Sequence, residues 1–102
     1  MTTVRISRGS FIPDNYDRIG KRLDESQQTL VPRIRQLDGC LHYWAGIDRN
    51  SHTMVNVSVW RSLSDAKQMD TLTEMKTLAN EFIKLGVTFE RPINNYEVLW
   101  EV

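Results

Sequence analysis

The chain of 102 residues has one cysteine, Cys40, so no internal disulfide can staple it. A lone thiol fits a reducing compartment, and its natural use is as a small buried apolar group. Charge of one sign is also missing. Lys plus Arg is 13 and Asp plus Glu is 13, which gives zero formal net charge with no block of either sign. A nucleic-acid binder normally carries a basic stripe; none is visible, so no nucleic-acid partner is expected. Long apolar runs are absent too. Nothing approaches the ~20 residues that a spanning helix needs, so no membrane partner is expected. The opening Met1-Thr2-Thr3-Val4-Arg5 lacks the apolar stretch of a signal peptide, and the expected location is the cytoplasm.

What is present is ordinary for a globular chain: 40% hydrophobic and 25% charged residues exclude disordered and collagen-like classes. One domain covering residues 1–102 is expected, since domains commonly run to roughly 100–150 residues. A folded chain of this size buries about two-thirds of the surface it exposes when unfolded, enough for a core.

Val4-Arg5-Ile6-Ser7-Arg8 alternates apolar and polar, the period of a half-buried strand. Pro13 and Asp14 open a helix. Its apolar residues Tyr16, Ile19, Leu23, Leu30, Ile34 and Leu37 keep one face. Pro32 removes a backbone donor and predicts a kink or break near Leu30 to Pro32. Asp38-Gly39 stops the helix. Cys40 to Ile47 reads as a second strand, on which strict alternation gives Cys40, His42 and Trp44 one face. The turn Asp48-Arg49-Asn50-Ser51 then leads to a third strand, Thr53 to Trp60. Val55, Val57 and Val59 share one of its faces; Met54, Asn56, Ser58 and Trp60 share the other. Capping boxes at Ser62/Asp65 and Thr71/Glu74 predict two helical pieces. The second carries the stripe Leu72, Met75, Leu78, Ala79, Phe82 and Ile83, and Gly86 closes it. Residues 87–95 read as irregular, and Tyr96 to Val102 as the last strand.

The order β-α-β-β-α-β predicts an α+β, ferredoxin-like fold: a four-stranded antiparallel sheet with both helices on one face. The other face has no cover within the chain. Leaving a valine row wet costs about 25 cal/mol per Å² of apolar surface. A homodimer through the open sheet face is the expected remedy.

The segment Leu37-Asp38-Gly39-Cys40-Leu41-His42-Tyr43-Trp44, then the hairpin, then Val57-Ser58-Val59-Trp60-Arg61-Ser62, resembles the dimeric α/β-barrel superfamily. Within it, the resemblance is to antibiotic-biosynthesis-monooxygenase-like domains, with Trp60-Arg61-Ser62 as the signature at the end of the third strand. The resemblance covers nearly the whole chain in element order. It implies a dimer whose two sheets face each other as a barrel, and a pocket in each subunit between sheet and helices. It also implies relatives that oxygenate aromatic polyketides or quinols without a cofactor, and others that degrade haem. The haem-degrading members pair the third-strand Trp with an Asn on the first strand and a His in the second helical region. This chain has no Asn from Val4 to Ser10 and no His after His52.

Candidate site residues follow from the alternation and the resemblance. Trp60 is either a pocket wall or core. Asn56 and Ser58 become polar anchors if the valines face a partner, and they line the interface in the opposite arrangement. His42 is the candidate catalytic base, because an imidazole can take a phenolic proton. Trp44 is a candidate wall for a flat aromatic ligand. No metal site is expected, since His42 and His52 straddle a turn without supporting ligands. No cofactor is expected. The functional expectation is a cofactor-independent monooxygenase acting on a small aromatic or quinol. The alternative is a non-catalytic homodimeric protein that binds a small ligand or serves a structural role.

Overall fold

The computed structural model describes residues 1–102. Strand β1 (Thr3–Ser10) leads through a 3-10 turn at Pro13–Asn15 into helix α1 (Tyr16–Arg35). Strands β2 (Cys40–Asp48) and β3 (Thr53–Trp60) form the hairpin. Helix α2 (Leu63–Ala66), a 3-10 turn at Lys67–Thr71 and helix α3 (Thr73–Lys84) follow. Two short strands, β4 (Thr88–Phe89) and β5 (Asn94–Glu97), come last. The sheet order is β2-β3-β1-β4, and β5 also pairs with β1; every pairing is antiparallel. This is the expected ferredoxin-like arrangement, with its fourth strand in two pieces. No helix is long and apolar enough to cross a membrane.

The interruption has a local cause. Phe89 pairs with Gly9 and Asn94 pairs with Ile6, so β4 and β5 lie along the same edge of β1. Between them Pro92 has no N–H to give the ladder. The stretch expected to be irregular therefore holds β4 and the start of β5. The last strand also ends at Glu97 instead of Val102. Val98 N–H still reaches Thr2 O at 2.9 Å. Beyond that point the chain has almost nothing left to pair with, because β1 begins at Thr3.

Helix α1 is one piece, so the expected break at Pro32 does not occur. Pro32 forfeits one backbone hydrogen bond near the helix end, but Leu30 and Ile34 are buried on either side of it and hold both flanks on the core. Gly39 ends the crossover with φ 75°, and a Cβ there would run into the Asp65 carboxyl group. Glycine is the residue that meets both demands. Ser62 caps α2 as expected, its Oγ accepting from Asp65 N–H at 3.1 Å. The second capping box does not form: α3 starts at Thr73, and Thr71 Oγ donates to Gln68 O in the preceding turn. Of the α3 stripe, Leu72, Leu78 and Phe82 are buried and Ile83 is exposed.

The core lies between the helices and one face of the sheet. Ile19, Leu23, Leu30 and Ile34 of α1 and Leu78 and Phe82 of α3 close on Met54 and Trp60 of β3. Two ion pairs tie the helices together, Arg22 to Glu81 at 2.7 Å and Arg33 to Glu74 at 2.9 Å.

Candidate functional site

Residues directly opposite each other in an antiparallel pair lie on the same face of the sheet. Tyr43 opposes Ser58, Ser58 opposes Arg5, and Arg5 opposes Asn95. These residues make a polar row across the sheet. A second row runs Ala45, Asn56, Ser7. Ser58 and Met54 are buried against the helices, so both rows face inward. The other face carries Val55, Val57 and Val59, with Val4 and Ile6 of β1, Trp44 of β2 and Tyr96 of β5. The sheet is thus inverted: its covered face holds polar rows, and its uncovered face holds the β-branched residues. Trp44 is 53% exposed there and Tyr96 51%.

The inward rows border a cavity of about 50 Å³ between the sheet and α3. Arg5, Ser7, Tyr43, Asn56 and Ser58 supply its polar wall. Met54, Met69 and Met75, every methionine except Met1, line the rest with Leu78, Phe82 and Phe89. Arg91, from the link between β4 and β5, stands at the same cavity. No Asp, Glu or His lines it. A separate groove of about 360 Å³ runs between α1 and β2, and Tyr43 and Asn56 belong to both walls.

The electrostatics follow from this packing. Arg5 is 7% exposed and its guanidinium meets the Asp70 carboxylate at 2.9 Å. Burial pushes the Tyr43 phenol far up, so it stays a neutral hydroxyl; nearby Arg5 pulls the other way and Cys40 adds to the rise. Burial lowers the Arg91 guanidinium first, and the like charge of Arg5 lowers it further. The Cys40 thiol is pushed up by burial, which makes it a poor nucleophile. Asn95 Oδ1 is buried without a hydrogen-bond partner.

The sequence-derived residues divide between the two faces. Asn56 and Ser58 border the cavity. Trp60 is fully buried beside it and donates its indole N–H to Ser58 Oγ at 2.8 Å, without lining the cavity itself. His42 and Trp44 do not reach the cavity. The ladder slips between Cys40 and His42, so Cys40 opposes Trp60 while His42 opposes Val59. The shared face expected for Cys40, His42 and Trp44 is therefore corrected: the bulge at Leu41 leaves Cys40 with the helices and sends the other two to the open side. There the His42 and Trp44 rings stack at 5.3 Å and 12°. Sequence pattern alone does not single out Arg5, Ser7, Tyr43, Arg91 or the methionines. A signal for Arg5 and Ser7 is present: Val4 and Ile6 alternate with them, and these apolar β1 residues pair with the valine row.

No family-level sequence profile and no curated protein sequence matches the chain. Solved structures do match it. One is a candidate antibiotic biosynthesis monooxygenase from Deinococcus radiodurans, 20% identical, covering 98% of this chain and 95% of that one at TM-score 0.75. Another is SnoaB, a cofactor-independent oxygenase from Streptomyces nogalater, 12% identical, with 99% and 96% covered at TM-score 0.64. A candidate antibiotic biosynthesis monooxygenase from Chloroflexus aurantiacus is 14% identical, with 100% and 97% covered at TM-score 0.66. The chain has the fold of antibiotic-biosynthesis-monooxygenase-like domains, as the resemblance through Trp60-Arg61-Ser62 implies. At these identities the likeness is one of fold, and chemistry resides in the site.

Proposed function

We propose that the chain is a cofactor-independent oxygenase for a small phenol or quinol, working as a homodimer joined through the open sheet face. The observation that carries this reading is the inverted sheet. A chain that turns Arg5, Ser7, Asn56 and Ser58 toward its own helices must give them partners, since a buried polar group without one costs about 1–3 kcal/mol. Asp70 and Trp60 serve Arg5 and Ser58, which leaves the half-buried Ser7 and Asn56 for a ligand. A chain that turns Val4, Ile6, Val55, Val57, Val59 and Trp44 outward needs a cover for them. The shared fold with SnoaB supports the choice of chemistry.

An electron-rich phenolate reduces oxygen itself, so the protein must bind it, favour its ionised form and limit water. For a hydroquinone, the ring carbon beside the ionised oxygen forms a C–O bond to O₂. The O–O bond then breaks as water leaves, taking the ring hydrogen, and a hydroxyquinone remains. One hydroquinone and one O₂ give one hydroxyquinone and one water. The phenolic proton goes to solvent, because no carboxylate or imidazole lines the cavity, and one proton returns from solvent to the outer peroxide oxygen before water leaves. His42 lies on the other face of the sheet, away from where that proton is released.

A cavity of about 50 Å³ holds a few waters, whereas a benzene ring occupies one of about 150 Å³. Entry of a ring needs the cavity to widen, and the unbranched thioethers Met54, Met69 and Met75 in its wall change rotamer readily. The small cavity is also what favours the second reading, a homodimer that retains a small ligand without turning it over. Oxygen uptake with a naphthohydroquinone, against a protein-free autoxidation control, separates the two. The expected result is saturable uptake that falls about tenfold or more in Asn56→Ala, the scale of one lost hydrogen bond. Uptake no faster than the control would transfer the assignment to the binding protein.

A further inference from the structure

The cavity wall has an excess of hydrogen-bond donors. Tyr43 is a neutral phenol. Ser58 Oγ accepts from Trp60, which leaves its own hydrogen to donate. Arg5 carries several N–H groups and meets one carboxylate, Asp70, whose side chain is 54% exposed while that of Arg5 is 8% exposed. Asp70 therefore meets Arg5 from a more exposed position and does not line the cavity, whereas Arg5 does. Arg91 adds a second cation at the same cavity, with its guanidinium over the Phe89 ring at 4.8 Å. The apolar groups of α3, Met75, Leu78 and Phe82, bring no charge. The charged groups around the site are thus Arg5, Asp70 and Arg91, a net positive set with no carboxylate inside.

Two arginines at one cavity repel each other, and an anionic oxygen held by both relieves that repulsion. We propose that Arg5 and Arg91 form an anion subsite that holds the ionised oxygen of a phenolic ligand, with Tyr43 and Ser58 as neutral donors, and that this positive field ionises the ligand without a protein base. This deepens the reading of the cavity as a phenol or quinol site and rests on it. The chemistry needs no transfer to the protein: the ligand O–H proton passes to water, and the field stabilises the oxyanion left behind.

The test uses 4-nitrophenol, whose ionised and neutral forms absorb differently, titrated in the presence of saturating protein. The bound probe is expected to ionise about one pH unit or more below the free probe, the effect of an opposite charge within contact range. Arg91→Gln, at an exposed position, is expected to shrink that difference with the fold intact by circular dichroism. Arg5→Lys should keep part of it and Arg5→Met should lose it. 4-Nitroanisole, which has no ionisable oxygen, should bind about tenfold more weakly or worse, the scale of one lost charge-assisted hydrogen bond. An unchanged or raised ionisation midpoint, equal binding of the two probes, an unaltered midpoint in Arg91→Gln, or no binding of 4-nitrophenol at all would each overturn the subsite. Its failure and that of the oxygenase reading are distinguishable. A lowered midpoint without oxygen uptake keeps the subsite and removes the oxygenase, and uptake without a lowered midpoint does the reverse.

Discussion

The indole N–H of Trp60 donates to Ser58 Oγ at 2.8 Å, between two buried side chains on the same face of β3. The bond joins the core to the cavity wall. Removing the hydroxyl leaves a buried donor unpaired. Ser58→Ala should lower the unfolding free energy by about 1–3 kcal/mol in urea. Trp60→Phe in the Ser58→Ala background should cost less than it does alone, because the unpaired N–H leaves with the indole. Equal costs in the two backgrounds would mean that the bond contributes nothing.

Val57 sits at the middle of the open face, opposite Ile6 on one side and Trp44 on the other. If a second copy covers this face, a charge there is buried against apolar side chains. Val57→Lys should convert a dimer to a monomer by sedimentation while the far-ultraviolet dichroism stays unchanged. A wild-type chain that sediments as a monomer at micromolar concentration would end the dimer proposal.

Tyr43 makes stability depend on alkaline pH, and the sign follows from its raised folded-state value. The unfolded chain ionises Tyr43 near the ordinary tyrosine value, about 10, while the folded chain still holds the proton. The stabilisation is therefore complete below that value and is lost as pH rises beyond it. Thermal stability should fall above about pH 10 in the wild type, and less steeply in Tyr43→Phe. Parallel curves for the two proteins would contradict this.

Glu81 acts at the other end of the scale. The Arg22 guanidinium, hydrogen-bonded at 2.7 Å, holds its carboxyl below the usual glutamate range, and Lys84 contributes in the same direction. A lowered folded-state value gives a contribution present above the unfolded value, about 4.3, and lost as pH falls through the folded one. The melting temperatures of wild type and Glu81→Gln should differ at neutral pH and converge in acid. A gap that widens on acidification would show the sign to be wrong.

Much of the fold is legible in the sequence because its signals are local and periodic. Met54, Asn56, Ser58 and Trp60 separate from the three valines by simple alternation, and the α1 stripe from Tyr16 to Ile34 follows the helical repeat. Element order then restricts the topology to few choices. The misplacements in the sheet fall where one strand depends on another, and those in the helices, at Pro32 and at Thr71, fall where packing on the core or a preceding turn overrides the local signal. Neither the bulge at Leu41 nor the loss of pairing after Val98 can be read from its own segment, because each reflects where a neighbouring strand starts or slips.

The site shows the same division. The sequence by itself determined that β1 and β3 each have an apolar and a polar face, since a side-chain period of two admits nothing else. Which face meets the helices was a tertiary decision. Packing of α1 and α3 over Met54, Ser58 and Trp60 turned the polar rows inward, and pairing of β1 against β3 brought Arg5 beside Ser58. Pairing of β5 along β1 and the course of the chain between β4 and β5 then carried Arg91 to the same cavity as Arg5, from the opposite end of the sequence. No local pattern encodes a meeting between residues so far apart; the sheet register and the helix packing create it.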